Sequence, residues 1–149
     1  MKLYLIVILF FVFILIGLFV YYIYYLRVRL YKDLCYICNS LSNNISFKKQ
    51  SINDIILSLY PQIHYYTRSV IENKNRFYKI ISKEKFNFII GFFESLGLGD
   101  VSFEVESIEY YENIFKSEYL TAKDDLNKKG AVYFKLLVGV GLILCIILF

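Results

Sequence analysis

The chain has 149 residues, enough for one compact domain, and 58% of them are hydrophobic, with a mean hydropathy of +0.50. That exceeds the apolar share of a soluble domain and sets an ordinary water-soluble enzyme aside. The net charge of +4 comes from 17 basic and 13 acidic residues with no Lys/Arg run longer than two, which argues against nucleic acid. Three cysteines, one of them inside an apolar tail, make no secreted disulfide framework.

The apolar surplus sits in two places. Residues 3–26 carry no charge, and as a helix they would run about 36 Å, enough to cross a hydrocarbon core. The run is too long for a cleaved signal peptide, and no small-x-small site follows it. Tyr21, Tyr22, Tyr24 and Tyr25 gather at its far end, as an interfacial belt would. Residues 131–149 form the second apolar segment, about 28 Å as a helix, with Lys135 one turn in and able to snorkel. Gly139-Val140-Gly141 leaves a smooth patch there, most simply read as ordinary glycines of a membrane helix.

Basic residues flank the middle: Arg27, Arg29 and Lys32 after the first segment, and Lys123, Lys128 and Lys129 before the second. The positive-inside rule predicts a cytoplasmic middle, residues 27–130, with both short termini across the membrane.

Within the middle, Leu30, Leu34, Ile37, Leu41 and Ile45 step by three or four and predict a helical face, with Arg29, Lys32, Asp33, Asn39 and Ser40 mostly off it. Phe47-Lys48-Lys49-Gln50 reads as a polar connection. Ser51 as N-cap, with Asp54 three residues on, opens a short helix that Pro61 ends near Leu59–Tyr60. Residues 63–72 predict a third helix and Asn73–Arg76 its polar exit. Phe77–Ile81 is ambiguous between a helical turn and a strand and is assigned to helix.

Ser82 caps a further helix with Phe86, Phe88, Ile89, Phe92, Phe93 and Leu96 on its apolar face. Gly97 fits the left-handed position after a helix end, and Asp100 caps the next helix, with Glu104 adding negative charge near its start. Along that long helix Val101, Val105, Ile108, Tyr111, Phe115, Tyr119, Ala122 and Leu126 form a near-heptad seam. No strand pattern competes. The predicted class is all-α: a small cytoplasmic helical bundle between N- and C-terminal membrane helices.

Chemical motifs are weak. Cys35-Tyr36-Ile37-Cys38 lies inside a helix with no strand before it, unlike a thioredoxin-like site, and a zinc site would want a second pair. His64, the one histidine, has no nucleophile partner. The glycines from Gly91 to Gly99 have the wrong spacing for a phosphate loop. No catalytic residue, cofactor, metal, nucleic acid or small-molecule substrate is expected. Two features suit docking: the turn residues Leu96, Gly97, Gly99 and Asp100, and a partner-facing acidic stripe of Glu104, Glu106, Glu109 and Glu112.

The order of these parts, with Phe93-Glu94-Ser95-Leu96-Gly97-Leu98-Gly99-Asp100, the lysines Lys123, Lys128 and Lys129, and the glycine-bearing tail Leu136–Leu148, resembles the stage III sporulation protein AB family. The resemblance covers essentially the whole chain, although Glu104 stands where that family commonly has glutamine. It implies a non-enzymatic membrane component of the secretion-like channel between mother cell and forespore, similar to the platform proteins of type II secretion and type IV pilus systems. By the same resemblance the helical domain would meet a secretion-type ATPase, and the membrane helices other channel subunits and lipids. Two other readings fit the layout: a two-anchor toxin-immunity or pore-regulating protein, and a thiol enzyme using Cys35 and Cys38.

Overall fold

A computed structural model describes residues 2–48, 52–72 and 80–148. Among these all regular structure is helical: α1 (Lys2–Lys48), α2 (Ile52–Leu59), a 3₁₀ turn (Tyr60–Gln62), α3 (Tyr65–Ile71), α4 (Lys83–Ser95), α5 (Val101–Asp125), a π-helical turn (Leu126–Gly130) and α6 (Ala131–Leu148). The chain folds as two compact units, one of Met1–Tyr25 with Thr121–Phe149 and one of Leu26–Leu120.

The first unit is a pair of apolar helices. Among the described residues two helices are long and apolar enough to cross a membrane, with mean hydropathies of 3.0 and 2.6 in their most apolar windows and only 6% of each window buried. A core helix of a soluble protein would be mostly buried. Here Phe11, Leu15, Phe19, Leu136, Ile143 and Ile146 stand exposed, which suits a lipid solvent.

The helices of this unit run antiparallel, with small residues of one facing aromatic rings of the other. A Cβ at Gly17 would lie 3.0 Å from the Phe134 ring, and one at Gly130 would lie 3.4 Å from Tyr24. At Gly141 a Cβ would sit 3.0 Å from the Cβ of Phe13. Further along, the Cys145 thiol donates to the Ile6 carbonyl at 3.7 Å. Close approach through small residues is how helices associate in lipid, where burial itself contributes little.

Of the predicted glycine patch, then, Gly141 is a contact, whereas Gly139 has nothing within 4 Å of its missing Cβ. Gly141→Leu is expected to destabilise the pair by about 2 kcal/mol through overpacking against a rigid atom. Gly139→Leu should be neutral. Thermal unfolding of the full chain in detergent compares the two.

The π turn has a register explanation. Ala122 is buried, and seven residues on, where the heptad would bury its next side chain, stands Lys129. The widened turn, in which the Ala131 amide donates to the Leu126 carbonyl, moves burial one place to Gly130. Lys129 turns outward and pairs with Asp125 at 2.7 Å, as Lys128 does with Asp124 at 2.9 Å.

The second unit is a helical bundle. Leu30, Leu34, Ile37, Leu41 and Ile45 of α1 are all buried, joined by Ile55 and Leu59 of α2, Tyr66 and Val70 of α3, and Phe86, Ile89 and Phe92 of α4. The α4 and α5 helices form an antiparallel hairpin whose register shows in successive pairs. Lys85 bonds Glu118, Phe88 meets Phe115 edge-on at 6.1 Å, and Phe92 meets Tyr111 at 4.8 Å. Each aromatic pair adds about 0.5–1.5 kcal/mol beyond burial.

Several expectations are corrected here. Phe47 and Lys48 continue α1 instead of opening a connection; Lys49, Gln50 and the Ser51 cap lie outside the described residues. The α3 helix begins at Tyr65 because His64 is its extended N-cap, its Nδ1 accepting from the Tyr66 amide at 3.2 Å. Ile80 and Ile81 form a turn and bend leading into the extended Ser82 cap, so they are not helical; Phe77–Lys79 and Asn73–Arg76 lie outside the described residues.

Two side chains also depart from expectation. Val101 belongs to no seam and is exposed. Asp33 is only 5% exposed: its Oδ2 accepts from the His64 amide at 2.9 Å and the Thr67 hydroxyl at 2.8 Å, with Arg29 3.6 Å from Oδ1. A carboxylate of α1 therefore holds the start of α3, where orphan amides and the helix dipole favour negative charge.

Candidate functional site

The α4–α5 turn is built to be rigid. Leu96 leaves α4 in an extended conformation, and Gly97 follows at φ 85°, a backbone that side-chain-bearing residues rarely adopt. Asp100 caps α5, its carboxylate accepting from the Phe103 amide and the Ser102 hydroxyl, each at 3.1 Å. Glu104 reaches back from the first turn of α5, and one oxygen, Oε1, accepts from the Gly97 amide at 2.7 Å and the Gly99 amide at 3.1 Å. The turn is thus held from inside the bundle by a carboxylate only 5% exposed. This removes Glu104 from the predicted acidic stripe, because its carboxylate is spent on backbone amides. Glu106 and Glu109 are exposed, and Glu112 is half-buried.

That locking leaves apolar side chains outside. After a left-handed glycine the next apolar residue often packs back on its helix. Here Leu98 is 81% exposed, followed by Val101 and by Phe103 and Tyr110, 60% and 61% exposed. Phe103, Glu106, Tyr110, Asn113, Ser117 and Leu120 are all exposed at alternating spacings of three and four, one outward stripe along α5. On the other side of the turn lies a groove of about 670 Å³ lined by Ile52, Ile56, Leu57, Tyr60, Ile71, Phe93, Leu96 and Gly97. Exposed large apolar side chains on a rigid frame, rimmed by acid, are the composition of an interaction surface. The pattern of α5 carries this outer stripe, but the stronger inner seam of Ile108, Phe115 and Ala122 masks it.

The bundle also has a crevice of about 300 Å³ lined by Tyr31, Phe88, Ile89, Ile114 and Phe115, with Glu118 at its edge. Lys85 and Arg27, the latter at 3.8 Å, converge on that carboxylate. These contacts tie α1, α4 and α5 together.

Chemically the thiols are quiet. Cys35 and Cys38 are both free. Burial first, then the Glu112 charge, pushes the Cys35 thiol up to about 11, and burial pushes Cys38 up as well. A shift of that size leaves roughly a hundredfold less thiolate at neutral pH than an ordinary thiol has. Maleimide labelling of the folded chain should therefore be slow at pH 7 and accelerate as pH approaches 11. The linked stability has a definite sign. The folded state holds these protons more tightly, so the contribution is complete below about pH 8.5 and declines as pH rises through the folded value. Among the described residues no group of three or more His, Cys, Asp or Glu is placed to hold a metal ion.

A family model described as Stage III sporulation protein AB matches residues 67–149. No curated protein and no solved structure matches the chain. The matched stretch takes in most of α3, the α4–α5 hairpin with its locked turn, the π turn and the apolar α6, over half of the sequence, and the chain therefore belongs to the stage III sporulation protein AB family.

Proposed function

We propose that this stage III sporulation protein is a non-enzymatic membrane platform of the secretion-like channel between mother cell and forespore. Its helical unit docks other components, and its two apolar helices hold it in the mother-cell membrane around the forespore. The observation that carries the reading is the exposure of Leu98, Phe103 and Tyr110 around a turn that Glu104 fixes from behind. A surface so apolar is costly to leave in water unless something covers it. Glu106 and Glu109 beside it favour a partner with basic side chains.

The topology follows from charge. Arg27, Arg29 and Lys32 at one junction and Lys123, Lys128 and Lys129 at the other support a helical unit in the mother-cell cytoplasm. There it would meet a secretion-type ATPase, as the family resemblance implies, while α6 and the start of α1 meet channel subunits within the membrane. A reporter fused after Phe149 should be inactive in the cytoplasm; activity there would contradict this topology.

The docking role is tested by Leu98→Ser, Phe103→Ser and Tyr110→Ser combined. These side chains are exposed, so accumulation and membrane integration should match the wild type, while spore yield falls by orders of magnitude. A folded, integrated triple variant that sporulates normally would remove this surface from the function.

A further inference from the structure

All charge of the paired-helix unit on α6 and its approach lies at one rim. Lys123, Lys128, Lys129 and Lys135 stand there, whereas residues 136–148 carry no charge and neither do residues 4–25 of the opposing helix. All four lysines are exposed. Their own acidic neighbours are Asp124 and Asp125, so the rim keeps an excess of two positive charges, four lysines against two aspartates.

Aromatic rings lie at the same level. The missing Cβ of Gly130 is 3.4 Å from Tyr24, and the Tyr24 ring stacks on Tyr133 at 6.4 Å. Lys129 pairs with Asp125 and has Tyr24 and Tyr133 as neighbours. The π turn brings this about, since it turns Lys129 out of the helix seam and seats Gly130 against Tyr24. Tyrosines beside lysines at the end of an apolar helix sit at headgroup depth.

From this arrangement we propose that Lys123, Lys128, Lys129 and Lys135, with Tyr24 and Tyr133, form a collar that binds the phosphates of anionic lipids. The proposal rests on the membrane reading above and adds the lipid class. The internal Lys128–Asp124 and Lys129–Asp125 pairs do not prevent it. Both lysines are largely exposed, 75% and 57% at the side chain, and such pairs contribute little in water. An ammonium has three N–H donors, so it can turn one toward a lipid phosphate while another still donates to its aspartate. Phosphate oxygens and phenol hydroxyls together offer each collar group a partner at the interface.

The test uses the full chain, purified in a neutral detergent and offered an equimolar mixture of phosphatidylglycerol and phosphatidylcholine, with retained lipid read by native mass spectrometry. Near an anionic surface each lysine contributes about a fivefold gain, so the wild type should retain phosphatidylglycerol about tenfold or more over phosphatidylcholine. Lys123→Gln, Lys128→Gln, Lys129→Gln and Lys135→Gln combined should abolish that preference, while the variant still resists carbonate extraction from membranes. Asp124→Asn with Asp125→Asn should move the preference upward, because it frees two lysines. Equal retention of the two lipids by the wild type, or an unchanged preference in the glutamine variant, would overturn the collar and leave the membrane reading standing. Release of the wild type by carbonate would defeat that reading, and the collar with it.

Discussion

Asp33→Ala is expected to destabilise the helical unit by about 3 kcal/mol. The carboxylate is buried and accepts from both a backbone amide and the Thr67 hydroxyl, itself fully buried. Hydrogen bonds to a charged acceptor are worth about 1.5–3 kcal/mol, and the donors left behind lose their partners where water has poor access. Arg29 would lose its acidic neighbour in the same change. In a chain of this size a loss of that order lowers Tm by roughly 10 °C. Thermal unfolding of the full chain in detergent, followed by helical circular dichroism, measures it. Asp33→Asn keeps an oxygen in place and should recover a good part of the loss. If alanine and asparagine behave alike and both are mild, the attachment of α3 through Asp33 is wrong.

Glu104→Ala is the second large effect, about 2 kcal/mol. Two glycine amides lose a shared acceptor, although the exposed turn allows water to replace part of it. The functional consequence should exceed the stability loss, because the turn would no longer hold Leu98 in one place. Glu104→Gln separates geometry from charge. One oxygen, Oε1, does all the accepting, and a glutamine carbonyl can do the same. The glutamine variant should therefore be near wild type in Tm and in function. A glutamine variant as unstable as alanine would show that the charge, not the acceptor, holds the turn.

These two carboxylates also mark where sequence reading stops. What depends on a few adjacent residues was legible: the Ser82 and Asp100 caps, the left-handed Gly97, the end of α2 at Pro61, the buried leucine face of α1 and the two apolar segments. Each is set by backbone geometry or by hydrophobic periodicity within a turn or two. Asp33 sits among polar neighbours off the apolar face of α1, and nothing local says that an amide 31 residues away will find it. Glu104 looks like ordinary N-terminal helix charge until the chain reverses at Gly97. The π turn is hidden for a related reason: the heptad reaches a lysine at position 129, and only packing shows that Gly130 takes the buried place. At the proposed docking surface, the turn and Glu106 and Glu109 are candidates that the sequence names, and both carboxylates stand exposed. The exposed Leu98, Phe103 and Tyr110 could not be named, because large apolar residues are equally at home in a core.

The most direct measurement deletes the gene and complements it with the wild type or with the Leu98, Phe103 and Tyr110 triple serine variant, scoring the stage at which sporulating cells stop. The platform account predicts normal vegetative growth and arrest after the forespore is engulfed. Arrest should occur both in the deletion and with the triple variant, and only the wild type should restore spores. Full spore yield in the deletion would contradict the account at its centre, leaving a two-anchor helical protein with some other task.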